Sequence, residues 1–192
     1  MSKDFNKPTF FDIGFRGYGK YSCTENGKKL KHYSVWENML SRCYYTKNSR
    51  YNSYGGKGVI VCDDWLDLQK FSGWFYSNYI ENWFLDKDLL SPESKVYSPK
   101  TCCFLPREVN NCFVITPKQK EGNKLPTGII ERNGVYIARV KNKRKQTKCL
   151  DEAKLFYKTN KEALVKCLAD KYKKDLPLNV YNKLLSWEVN CE

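Results

Sequence analysis

Asn133-Gly134 stands between two short runs of β-forming residues, Ile129-Ile130 and "VYIARV" at 135–140. An Asn-Gly pair between such runs is the strongest short hairpin signal, because both residues tolerate the positive φ of a type I′ turn. It dictates an antiparallel sheet in this part of the chain. "KNKRK" at 141–145 reads as the next turn and "QTKCL" at 146–150 as a third strand. A helix is predicted from about Asn160. Thr159 and Glu162 fit a capping box there, and Leu164, Leu168 and Tyr172 form an apolar stripe. Pro177 suits the first turn of a last helix reaching about Trp187.

The stretch "TPKQKEGNKLPTG" at 116–128 is polar and ends in Pro and Gly, so it reads as a boundary between domains at 1–117 and 118–192. Upstream the pattern differs. Residues 1–31 are broken by Gly14, Gly17, Gly19 and Gly27. "GFRGYGK" at 14–20 matches only the start of a phosphate-binding loop: Tyr21 stands where Ser or Thr belongs, and no helix pattern follows. Residues 33–45 are a predicted helix with Val35, Trp36, Met39, Leu40 and Cys43 on one face and a Ser34/Glu37 capping box. A glycine turn then leads into a short buried strand over 59–62. A second helix is predicted over 66–79, with Leu68, Phe71, Trp74 and Phe75 inward as core.

The chain carries a net charge of +13, unevenly spread. Residues 1–117 hold 16 Lys/Arg against 12 Asp/Glu, and residues 118–192 hold 18 against 9. A surplus concentrated in one part is the footprint of a polyanion partner. No apolar run approaches the roughly 20 residues that span a bilayer, and the N-terminus lacks a signal-peptide core. A cytoplasmic protein without membrane association is expected. Nine cysteines without a C-x-x-C pair are then expected to be reduced, mostly as buried thiols.

The stretch "LDKDLLSPESKVYSPKTCCFLPREVNN" at 85–111 carries the chemistry. It reads as strand, turn, strand, helix start. The first strand delivers Asp86, Lys87 and Asp88, "TCCFLP" returns, and "REVNN" opens a helix bearing Asn110. Carboxylate and amide oxygens meeting at one point suit one hard divalent ion, which stabilises a leaving alkoxide while a base activates water.

Several stretches together resemble a family of phage-borne HNH-type endonucleases, many of them homing enzymes. The residues that carry the resemblance are Trp36, Met39-Leu40 and Arg42-Cys43-Tyr44 on one helix, then "YGGKGVIVCDDW" at 54–65 and the aromatics Phe71 and Trp74. "LDKD", "KVYSP", "CCF" and Asn110-Asn111 complete it, over about residues 33–113. The second part resembles the Apetala-type DNA-binding domain often fused to such nucleases, with "GIIERNGVYIARVKNKRKQTKCL" as its three strands. In that family the sheet lies in the DNA major groove. The resemblance places Arg132, Arg139 and Lys141 on the sheet and Lys143, Arg144 and Lys145 in its turn as DNA contacts.

The resemblance implies an α+β protein: a ββα-metal-like nuclease domain, then a small three-stranded antiparallel sheet packed on helices. It implies metal-dependent, sequence-targeted cleavage of double-stranded DNA by a monomer or weak dimer, with Mg2+ or Mn2+ held by Asp86 and Asn110. Lys87 stands where the family's first histidine, the usual general base, would stand, and Thr101 where an asparagine is common. The acids flanking Lys87 favour its ammonium form, so a cationic role is expected for it. Asp88 or the metal then activates water. The alternative is a nuclease-derived DNA-binding regulator without catalysis. An RNA-binding module lacks the motifs of the common single-strand binders. His32, just before the first helix, is expected at the surface.

Overall fold

A computed structural model of the chain describes residues 4–113, 125 and 128–189. The chain divides into two compact units, Met1–Leu105 and Pro106–Glu192. The stretch 116–128, where the sequence places its domain boundary, lies outside the described residues except for Leu125 and Gly128.

In the first unit a minimal hairpin, β1 (Thr24–Glu25) and β2 (Lys28–Lys29), leads into α1 (Lys31–Tyr44). This helix starts before the predicted point, and its predicted capping box does not form. Ser34 Oγ donates to the Leu30 carbonyl at 3.1 Å, and Glu37 pairs with Lys29 at 2.6 Å instead. Of the predicted inward stripe Trp36, Met39, Leu40 and Cys43 are buried, and Val35 is half-buried. Two 3-10 turns, Tyr51–Ser53 and Gly55–Lys57, precede β3 (Ile60–Val61). The predicted second helix is α3 (Leu68–Asn78), and a separate short helix not expected from the sequence, α2 (Asp63–Leu66), precedes it. Asp67 breaks them apart, because its carboxylate caps α3 by accepting from Gln69 N at 2.8 Å.

Three short strands complete the unit: β4 (Phe84–Asp86), β5 (Val96–Tyr97) and β6 (Cys103–Leu105). β3 pairs with β5 in parallel, and β4 pairs with β6 antiparallel. The core is aromatic. Trp36, Trp65, Phe71 and Phe75 are each at most 1 % exposed, and each such side chain contributes roughly 1.5–3 kcal/mol by leaving water. The buried indole of Trp36 donates to the Trp65 carbonyl at 2.7 Å, so α1 and α2 are joined by a satisfied polar bond inside this core.

The second unit begins with α4 (Arg107–Phe113), held to the helix that follows the sheet by Glu108, which accepts from Lys171 and from Tyr172 Oη. β7 (Ile129–Arg132), β8 (Val135–Val140) and β9 (Lys143–Thr147) form one antiparallel sheet in that order. Asn133 and Gly134 both take positive φ, 51° and 74°, as the hairpin reading requires. The next turn is shorter than predicted. It comprises only Lys141 and Asn142, with Lys141 at φ 48°, so Lys143, Arg144 and Lys145 belong to β9.

α5 (Leu150–Lys171) starts ten residues before the predicted Asn160. Asp151 and Glu152 fill its first turn, where acids interact well with the helix dipole. Thr159 is therefore mid-helix and caps nothing. Ala153 and Tyr157 of α5 pack on Ile129, Ala138 and Val140 of the sheet. Gly128, at φ 85°, lies so close against the Tyr157 ring that no side chain fits there. α6 (Leu178–Leu185) follows Pro177, which precedes its first turn. The fold is mixed α+β, with small sheets and one three-stranded antiparallel sheet.

Candidate active site

β4 ends at Asp86, which lies opposite Cys103 of β6. The Asp86 carboxylate ends it, since Oδ2 accepts from both Asp88 N at 2.9 Å and Leu89 N at 2.8 Å. A short acidic side chain that bonds the backbone ahead of it is a turn former. Lys87 and Asp88 therefore lie in a turn, and the expectation that one strand delivers all three residues is corrected. Strand alternation, which would aim Lys87 away from its neighbours, does not apply to them.

Burial distinguishes these residues. Asp86 is 8 % exposed and Lys87 7 %. The Lys87 ammonium forms an ion pair with Asp88 Oδ1 and donates to the Ser94 carbonyl at 3.3 Å. Asp88 stays exposed. Desolvation is the main effect raising the Asp86 carboxyl above its usual range, with the Asp88 charge adding to it. The backbone donors of Leu89 and Asp88, and the Lys87 charge, pull the other way.

Thiols surround this turn. Cys43 and Cys102 both feel the Lys87 charge, yet burial pushes each thiol up to about 12. Burial raises Cys103 as well. These are neutral packing groups at neutral pH, not thiolate ligands. Thr101 closes the neighbouring turn. Its Oγ1 donates to the Val96 carbonyl at 2.6 Å and accepts from Ser98 N at 3.0 Å. Thr101 is thus engaged within its own turn.

Asn110 lies half-buried on α4, in the second unit, and its side-chain amide has no hydrogen-bond partner among the described residues. In the first unit Asp86 offers Oδ1 as a hard oxygen donor, Oδ2 being engaged by the turn. Among the described residues no group of three or more His, Cys, Asp or Glu side chains is placed to hold a metal ion.

His32 is not at the surface. It is 1 % exposed, and its Nδ1 lies 2.9 Å from Tyr76 Oη. Desolvation lowers its pKa. It stands eleven residues from Cys43 on α1, about 16 Å along the axis at 1.5 Å per residue. Cys43 is the end of α1 that feels Lys87, so His32 is at the wrong end to serve as its base. Sequence alone carried a usable hint: three residues later Val35 and Trp36 begin the same apolar stripe.

In the second unit the register sorts the basic residues onto two faces. Ala138 lies opposite Ile129 and Lys145, and Val140 opposite Lys143, so these share the face packed on α5. Lys143 accordingly donates to Asn160 Oδ1 at 2.9 Å, and Lys145 pairs with Glu152 at 3.1 Å. The other face carries Arg132, Arg139 and Arg144, all exposed, with Arg139 directly opposite Arg144. Lys141 is exposed in the turn. The expected set of six splits accordingly: three arginines and Lys141 are free of ion pairs among the described residues, while Lys143 and Lys145 are tied to α5.

No helix among the described residues is long and apolar enough to cross a membrane. Comparison with protein-family models, curated proteins and solved structures finds no match.

Proposed function

We propose that the chain is a metal-dependent endonuclease that cleaves, and most simply nicks, double-stranded DNA. The observation that carries this reading is the buried Lys87 ammonium, held between Asp88 and the Ser94 carbonyl beside the Asp86 carboxylate. Burying a charge is costly, and a buried charge at the end of a short strand pair supports a functional reading. The antiparallel pair of β4 and β6 around Asp86 is consistent with the strand part of a ββα-metal-like site, and the resemblance to HNH-type nucleases supports the substrate class. The exposed face with Arg132, Arg139 and Arg144 supports a duplex partner, since like charges directly opposite each other cost stability that a polyanion offsets.

In this reading Asp86 Oδ1 would be the first unit's ligand to a hard divalent ion such as Mg2+ or Mn2+, and the resemblance assigns the Asn110 amide oxygen as a further ligand. When bound, such an ion would supply positive charge at the leaving oxygen. Asp88, the exposed acid, accepts a proton from the attacking water. Lys87 stabilises the charge that develops on the phosphoryl oxygens as the new P–O bond forms and the old one breaks. It acts by charge and takes no proton.

Supercoiled plasmid incubated with Mg2+ or Mn2+, against a chelator control, tests this. Open circles that appear only with the ion, and vanish in Asp86→Ala and Asn110→Ala while DNA affinity persists, are the expected result. A second reading has its own support. Asp86 and Asp88 both serve the turn itself, and the arginine face needs neither of them. A DNA-binding regulator without catalysis is the conclusion if no divalent ion elicits cleavage of bound DNA.

A further inference from the structure

Residues 38–62 contain Arg42, Lys47, Arg50 and Lys57 and not one acid. Among the described residues none of the four has an ion-pair partner, whereas Lys29, Lys70 and Lys87 of the same unit do. The segment is folded, not loose. Gly55 packs directly on the Cys43 carbonyl, with no room for a side chain, which presses the 3-10 turns onto the last turn of α1. There the Arg42 guanidinium lies 5.6 Å over the Tyr54 ring, and Tyr54 stacks on Tyr97 at 6.4 Å. Lys47, Arg50 and Lys57 remain exposed.

Strand pairing adds a fifth cation. Ile60 N donates to the Lys95 carbonyl at 2.8 Å, and a Cβ on Gly58 would meet the Lys95 side chain at 3.9 Å. Lys95 follows Ser94, the residue whose carbonyl holds the Lys87 ammonium. Cys43 ties the two regions together, for Gly55 sits on its carbonyl while its thiol feels Lys87. Gly56 and Gly58 flank Lys57 and are exposed, so no neighbouring side chain along the chain screens Lys57.

We propose that this rim, formed by Arg42, Lys47, Arg50, Lys57 and Lys95, is a second duplex-binding surface that seats the phosphodiester backbone beside the Asp86–Lys87–Asp88 turn. It rests on the DNA reading above and deepens it. Affinity then has two sources: the arginine face of the sheet, and a rim that orients the scissile strand. The contacts are to phosphate, so they carry position and not sequence.

The test uses the full chain and a nonspecific duplex of about 30 base pairs, with affinity measured across a salt series. Each lost phosphate contact removes about 0.9 from the log–log slope. Arg50→Gln/Lys57→Gln/Lys95→Gln is therefore expected to lower the slope by about 2–3, with a plasmid-nicking rate that falls further than affinity at fixed salt. Arg50→Lys/Lys57→Arg/Lys95→Arg keeps the charges and should keep the slope. If wild type shows no salt-dependent duplex binding, the DNA reading itself fails. If wild type binds and Arg139→Gln/Arg144→Gln lowers the slope, but the rim variant matches wild type in slope and nicking, only the rim proposal is overturned. Loss of affinity for anionic vesicles, with duplex binding unchanged, overturns it too.

Discussion

Lys87→Met separates a residue kept for chemistry from one kept for stability. Methionine matches the length of the lysine stem but needs no hydration. Replacing buried ionic groups by apolar ones of similar volume runs from neutral to about 4 kcal/mol stabilising. The pair here is only half buried, since Asp88 is exposed, and the attraction lost with such a partner is about 1 kcal/mol or less. Because Lys87 also steadies the buried Asp86 carboxylate, the expected net is a gain of at most about 1 kcal/mol. With a urea slope of about 1.5 kcal/mol/M, the midpoint rises by at most about 0.7 M. Asp88→Ala acts in the opposite direction, because the buried ammonium loses its ion-pair partner and is left with the Ser94 carbonyl and the nearby Asp86 charge, and a loss of about 2–3 kcal/mol follows. Tryptophan fluorescence reads this unit well, since Trp36, Trp65, Trp74 and Trp83 lie in it and only Trp187 lies in the other. The nicking rate of Lys87→Met should fall about 10²–10³-fold, as when one electrostatic donor is removed elsewhere. A Lys87→Met protein that loses more than about 1 kcal/mol and nicks at the wild-type rate would refute the reasoning and make Lys87 a structural residue.

Other outcomes follow from particular contacts. Arg132→Ala, Arg139→Ala and Arg144→Ala should each flatten the salt dependence of duplex binding by about 0.9, while Lys143→Ala and Lys145→Ala leave it nearly unchanged; fluorescence anisotropy across a salt series checks this. His32 is neutral in the native core, and its folded pKa lies below the usual 6.5. Above that value both states are neutral, and as pH falls below it the unfolded chain binds a proton that the native site resists. Stability should thus drop by up to about 1.4 kcal/mol per pH unit in that window, and His32→Gln should flatten the slope of the urea midpoint against pH. Thiol labelling of the native protein should modify exposed Cys149 and Cys167 well before Cys43, Cys102 and Cys103, as peptide mapping over time would report.

The hairpin at Asn133-Gly134, the apolar stripe of α1 and the strand-turn-strand order around residues 84–105 were legible because each rests on local chemistry. The start of α5 was missed for a different reason. Thr159 and Glu162 have the spacing of a cap, but the ten residues before them are mostly good helix formers with two acids at the front, and that signal outweighs an internal threonine. The turn at residues 87–89 needed a contact, namely which amides the Asp86 carboxylate reaches, and residue types alone do not contain it. His32 looked solvated because the sequence pattern places it just before the first helix, whereas it lies within α1 and aromatic neighbours from α3 enclose it.

The division of labour across β9 depends on the length of one turn. Side chains alternate with period two, so "KRKQT" holds two faces in one string: Lys143, Lys145 and Thr147 toward α5, and Arg144 and Gln146 away from it. Lys141 and Asn142 alone set which face is which. One residue inserted after Asn142 would exchange them without altering a letter of the strand. Arg144 would then meet α5, and the lysines would stand beside Arg139 in its place. Such an insertion would keep the charge and composition of the strand almost unchanged while rewriting the pattern of donors it offers. The turn is therefore where this sheet is cheapest to retune, by length variation and not by substitution.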